Sequence, residues 1–199
     1  MPMITPQTEL EAVNEMLMSI GQAPVSTLAV SGIQDVNTAK MVLSRVHRFV
    51  LTYGFDFNTD AAYTLTPDID GYLKVPEGVL RIDPTEKYSE LIARTHPTEG
   101  RAIWNKADQT WEFDEPVDFK IVWGTPFDEL PESAKAFIAI AASRKFQAQT
   151  IGSSALLAFT ADDEDRAWAL LLRDDRGTRD TNMFRVNPGL ARAAANRRY

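Results

Sequence analysis

Apolar positions change period twice along this chain, and the two changes divide it into three stretches. In the first stretch, Leu10, Val13, Leu17 and Ile20 recur at helical spacing, which predicts an amphipathic helix over residues 9–20. Thr8 and Glu11 have the spacing of a capping box. Gly21 stands where a left-handed C-terminal cap is wanted, and Pro24 prevents continuation. A second stripe, Ala39, Leu43, Val46, Val50 and Tyr53, predicts a helix over residues 35–53 that stops at Gly54 and can form a hairpin with the first.

Between Phe55 and Val122 the period falls to two. Ala61, Tyr63 and Leu65 alternate with Ala62 and Thr64, as do Phe119, Ile121 and Trp123 with their neighbours. Proline and glycine punctuate the region, so short strands and tight turns are expected. Arg101–Asn105 and Thr110–Phe113 are placed to pair around the polar loop 106–109. With no room for crossover helices, the sheet should be antiparallel.

Helical character returns after Pro131, a residue favoured at the start of a helix. The run PESAKAFIAIAASRKFQAQT is apolar on most faces, so it should be covered on more than one side. A last helix carries Trp168, Leu171 and Leu172 and is expected to finish near Gly177. Either Ser154 or Thr160 can start it; with Thr160, Asp162, Asp163 and Glu164 would occupy the first turn. The expected fold class is α+β. It is a discontinuous helical bundle (residues 1–54 and 126–182) with an inserted antiparallel β domain (55–125). An extended basic C-terminal tail (183–199) follows.

Charge refines this picture. The 199-residue chain carries a net −7, yet from Met183 onward acids are absent and Arg185, Arg192, Arg197 and Arg198 are present. A basic tail on an acidic body suggests docking elsewhere. Phe184, Arg185, Arg192, Arg197, Arg198 and Tyr199 are therefore the candidate partner-binding residues. The chain has no cysteine, which removes disulfides and thiolate chemistry. Its N-terminus lacks a signal-peptide pattern, and its longest apolar run, 136–142, is far short of the ~20 residues that span a bilayer.

Catalytic patterns are sparse. His47 and His96 share no metal-ligand spacing. Gly152 with Ser153 and Ser154 is not a nucleophile elbow, and neither a phosphate loop nor a dinucleotide fingerprint occurs. No catalytic, metal or cofactor site is expected. Two alternatives remain. Asp114, Glu115 and Asp118, with Asp56, Asp60, Asp68 and Asp70, supply carboxylates for a carbohydrate-degrading site, which needs two facing carboxyl groups ~5–10 Å apart. Arg192, Arg197 and Arg198 could instead contact phosphates in a DNA-binding module.

Several segments carry a resemblance. ELEAVNEMLMSIGQAPVSTL, NTAKMVLSRVHRFVLTYGFDFN, YLKVPEGVLRID, PFDELPESAKAFIAIAASRKFQAQTIGS and TADDEDRA, in this order and spacing, resemble the tail tubular protein A (head-to-tail adaptor) family of short-tailed bacteriophages. The resemblance implies a non-enzymatic structural subunit of the virion tail, assembled in the host cytoplasm. It implies a dodecameric ring of identical copies, with the portal protein above and the tail nozzle below. DNA would pass through the channel without specific binding, and no membrane is involved. On that reading the acids at 162–165 could help phosphates slide past the wall.

Overall fold

In the computed structural model the described residues are 5–29, 32–85, 88–150, 152 and 154–186, with side chains at 154–160 and 178–186 left aside. The structure is mixed α and antiparallel β. Leu51–Thr125 forms one compact unit, and the flanking segments, up to Val50 and from Pro126 onward, form another.

In the helical unit, α1 spans Glu9–Ser19 and has the expected capping box. The Thr8 hydroxyl accepts from the Glu11 N–H, and the Glu11 carboxylate accepts from the Thr8 N–H at 2.8 Å. Gly21 follows the helix at φ +80°, a conformation that costs glycine little. The buried face is Ala12, Val13, Met16 and Leu17, rotated from the expected stripe so that Leu10 and Ile20 lie at its edges.

The closest helical neighbour of α1 is α3, Glu132–Thr150, rather than α2, Gln34–Leu51. Hydrogen bonds tie both ends of α1 to the α3 segment. The Gln7 N–H donates to the Glu132 carboxylate, the Glu9 N–H to Asp128 Oδ1, and Gln147 Nε2 to the Ser19 carbonyl. The two helices therefore run parallel, and acids from the α3 side meet the positive end of the α1 dipole. α2 buries Val36, Ala39, Val42, Leu43, Val46 and Val50, and His47 meets Phe127 edge-on at 5.9 Å.

α3 buries residues around most of its circumference, including Phe137, Ile138, Ala142 and Phe146, as its composition predicts. Pro131 sits just before the helix, and its carbonyl accepts from the Ala134 and Lys135 N–H groups. α4 spans Ser154–Val186 and packs antiparallel to α3 through the Arg144–Glu164 ion pair and the Phe137–Trp168 rings, 4.9 Å apart.

Of the two starts open to α4, Ser154 is the one it takes, so Asp162, Asp163 and Glu164 lie inside the helix and not in its first turn. Two further expectations about α4 are corrected. It passes through Gly177 without ending; an interior glycine weakens a helix by ~1 kcal/mol but does not stop it. It also includes Met183–Val186, so these residues are helical rather than extended. The rest of the expected extended tail lies outside the described residues.

The β unit holds β1 (Thr59–Leu65), β2 (Val79–Pro84), β3 (Leu91–His96), β4 (Gly100–Asn105) and β5 (Val117–Trp123). A three-stranded sheet has the order β1-β5-β2, and β3 pairs with β4 separately. All pairings are antiparallel, with Tyr63 opposite Phe119, Ile82 opposite Ile121, and Ala93 opposite Ile103. Thus β4 takes β3 as its partner, and the expected pairing with residues 110–113 shrinks to one bridge between Asn105 and Thr110. Six ladder positions with Leu91 and Ile103 in the core outweigh a short local hairpin. Leu65, Leu73, Val117, Phe119 and Ile121 complete this core.

Candidate assembly surfaces

The helical unit has a groove along α1 and α3. One cavity of about 430 Å³ is lined by Gln7, Glu11, Glu15, Glu132, Ala136 and Ile140. A second, about 470 Å³, shares Glu15, Ala136 and Ile140 and continues to Ser143, Gln147 and Leu170. The floor residues Ala136, Ile140, Ser143 and Gln147 recur at helical spacing and form one side of α3.

The groove is charged unevenly. Glu11, Glu15 and Glu132 line its first half, which has no basic lining residue. In the second half, Arg144 is paired with Glu164 and Arg166 with Asp163, so the charges there cancel. Partial burial raises the Glu15 carboxyl above its ordinary range, against a hydrogen bond from Gln7 that lowers it. Glu11 is lowered, first by the Thr8 N–H and then by the Thr8 hydroxyl.

A different surface lies across α3. Phe49 on α2 is 72% exposed and Met41 is 54% exposed. The Lys145 ammonium lies 5.4 Å from the centre of the Phe49 ring, a cation–π arrangement. Arg45 and Arg48 are exposed on the same outer side of α2. Among the described ion pairs, none uses Arg45, Arg48 or Lys145.

The candidate residues of the C-terminal segment fall differently. Phe184 and Arg185 belong to the last turn of α4, with side chains outside the described set. Arg192, Arg197, Arg198 and Tyr199 lie outside the described residues altogether. Neither surface on the helical unit figured among the sequence-derived candidates, although each left a signal. Glu11 and Glu15 are like charges four apart on a helix, which is locally unfavourable. Phe49 stands one position off the α2 stripe, between arginine and core.

Three of the carboxylates considered for hydrolysis hold local structure. Asp68 Oδ1 accepts from the Tyr72 and Asp70 N–H groups, and its other oxygen pairs with Lys74 at 3.0 Å. Asp60 accepts from Trp123 Nε1 at 2.7 Å, and Asp118 from the Thr64 hydroxyl at 2.6 Å. Asp114 and Glu115 are exposed. His96 caps the β3–β4 turn, its Nδ1 accepting from the Thr98 and Glu99 N–H groups at 3.3 and 3.2 Å. The rings of Tyr72 and Trp111 flank it. Among the described residues, no helix is long and apolar enough to cross a membrane.

An antiparallel β unit inserted in sequence between helices, with the helices retaining charged and apolar outer surfaces, describes a protein built for assembly. The family model for tail tubular proteins matches residues 10–181, and the chain belongs to that family. It is a structural component of the bacteriophage virion tail. Among its relatives, Tail tubular protein A of Klebsiella phage KP34 is 29% identical over 166 residues, covering 83% of this chain and 86% of the relative.

Proposed function

We propose that this protein is one subunit of a ring that joins the phage portal to the tail nozzle and surrounds the DNA channel. Twelve copies would close the ring after assembly in the host cytoplasm, and DNA would pass without sequence-specific contact. Family membership over residues 10–181 carries the reading. The helical unit's outward groove and ridge support it, because a closed ring requires two different surfaces on every subunit.

The proposed division of labour follows the two units. Helices make the contacts around the ring, the β unit packs on its own core, and the arginine-bearing segment after Met183 engages the portal or nozzle. Chain crossings near Gly54 and Gly124 would act as hinges. Electron microscopy of the purified protein mixed with its portal tests the reading. A ring seated on the portal is expected, and failure to associate at micromolar concentrations overturns it.

A further inference from the structure

The acidic half of the α1–α3 groove and the Phe49 ridge occupy opposite sides of one helix. Lys145 follows Ala136 by nine residues, which at ~100° per residue places it about half a turn away around α3. One side presents Glu11, Glu15 and Glu132 above an Ala136–Ile140 floor. The other presents Arg45, Arg48 and Lys145 around an exposed phenyl ring. The two sides are complementary in charge, with three acids facing three bases, and in shape, with a concave apolar floor facing a projecting aromatic.

We propose that the Phe49 ridge of one copy seats in the acidic α1–α3 groove of the next copy. Because donor and acceptor surfaces differ and point in opposite directions, the contact is head-to-tail. The small side chains Ala136 and Ser143 let a helix approach closely, and Phe49 is the anchor that an aromatic hot spot provides. Arg45, Arg48 and Lys145 meet Glu11, Glu15 and Glu132 at the rim, where opposite charge fixes register and excludes like-with-like pairing. A cation brought beside Glu15 compensates its partial desolvation. This inference rests on the ring reading and identifies the surfaces that ring would use.

The absence of native cysteines makes site-directed cross-linking clean. Full-length Met41→Cys and Ala136→Cys proteins, mixed at high concentration with a bismaleimide, should yield a dimer band at least tenfold stronger than either protein alone. Arg45→Glu with Arg48→Glu and Lys145→Glu in the Met41→Cys protein, which keeps Phe49, should abolish that band. Glu11→Lys with Glu15→Lys and Glu132→Lys in the Ala136→Cys protein should restore it. The same cysteines are then placed in assembled tails, where retention of the protein at the portal reports on the ring reading separately. Equal like-with-like cross-linking, or no restoration by the reversed charges, overturns the proposed contact. So does absence of the mixed cross-link both in solution and in tails that retain the protein.

Discussion

The two units solve the burial problem differently. The β unit gathers Leu65, Leu73, Leu91, Ile103, Val117, Phe119 and Ile121 into a common core and spends its polar side chains on its own loops. Lys74 bridges Asp68 and Glu99 at 3.0 and 2.8 Å. Asn58, buried beside β5, donates to the Leu51 and Trp123 carbonyls. The helical unit also has a dense interior, with Phe146 and Ile138 fully enclosed, yet it retains a groove and an exposed phenylalanine. The β unit exposes Ile69 and Tyr53 as well, so the difference lies in the groove and in the charges that rim it.

The largest expected effects test whether each core supports only its own unit. Phe119→Ala should destabilise the β unit by about 3–5 kcal/mol, and Phe146→Ala should do the same to the helical unit. Calorimetry with hydrogen exchange should show protection lost mainly in the mutated unit. Uniform loss in both would erase the contrast. Next, Asn58→Ala removes one donor each from the Leu51 and Trp123 carbonyls, of which Leu51 keeps the Gly54 N–H, and should cost about 1–3 kcal/mol, read by urea unfolding of the β unit. Thr8→Ala removes the α1 cap and should cost about 1 kcal/mol, with faster amide exchange confined to the first turn of α1.

Acid sharpens the comparison further. The Tyr72 N–H lowers Asp68 most, and Lys74 lowers Glu99 most. Their stabilisation of the β unit is present above the ordinary carboxylate range near 4. It is lost as pH falls through the depressed values. Lys74→Met should flatten that acid limb in a pH series of melting temperatures. Glu15 has the opposite sign. Its raised value favours the protonated folded state, so its penalty grows as pH rises from the unfolded carboxylate range through the raised pKa. Glu15→Gln should therefore raise the neutral-pH melting temperature of the isolated protein slightly, by no more than about 0.5 kcal/mol equivalent. A decrease would show that Glu15 is not penalised by burial.

Local chemistry was legible in the residues. Thr8 and Glu11 marked the start of α1, Gly21 its end, and Leu43, Val46 and Val50 the inner face of α2. Alternation at Tyr63–Leu65 and Phe119–Ile121 marked β1 and β5. Gly177 misled because a helix-weakening residue was read as a terminus, whereas α4 runs through it. The pairing of residues 101–105 misled because proximity in sequence favoured a local hairpin over the β3–β4 ladder. Neither surface proposed for assembly was read from the sequence, since exposure is a property of what fails to pack.

By itself, then, the order of residues determined element type and most helix ends, because capping, glycine geometry and periodicity act within a few residues. Only the tertiary structure decided that α1 lies parallel to α3, that β5 is central, and that Phe49 faces outward opposite an acidic groove. Those outcomes depend on competition among distant partners, and the winner is set by the total area and polar satisfaction of the packed whole.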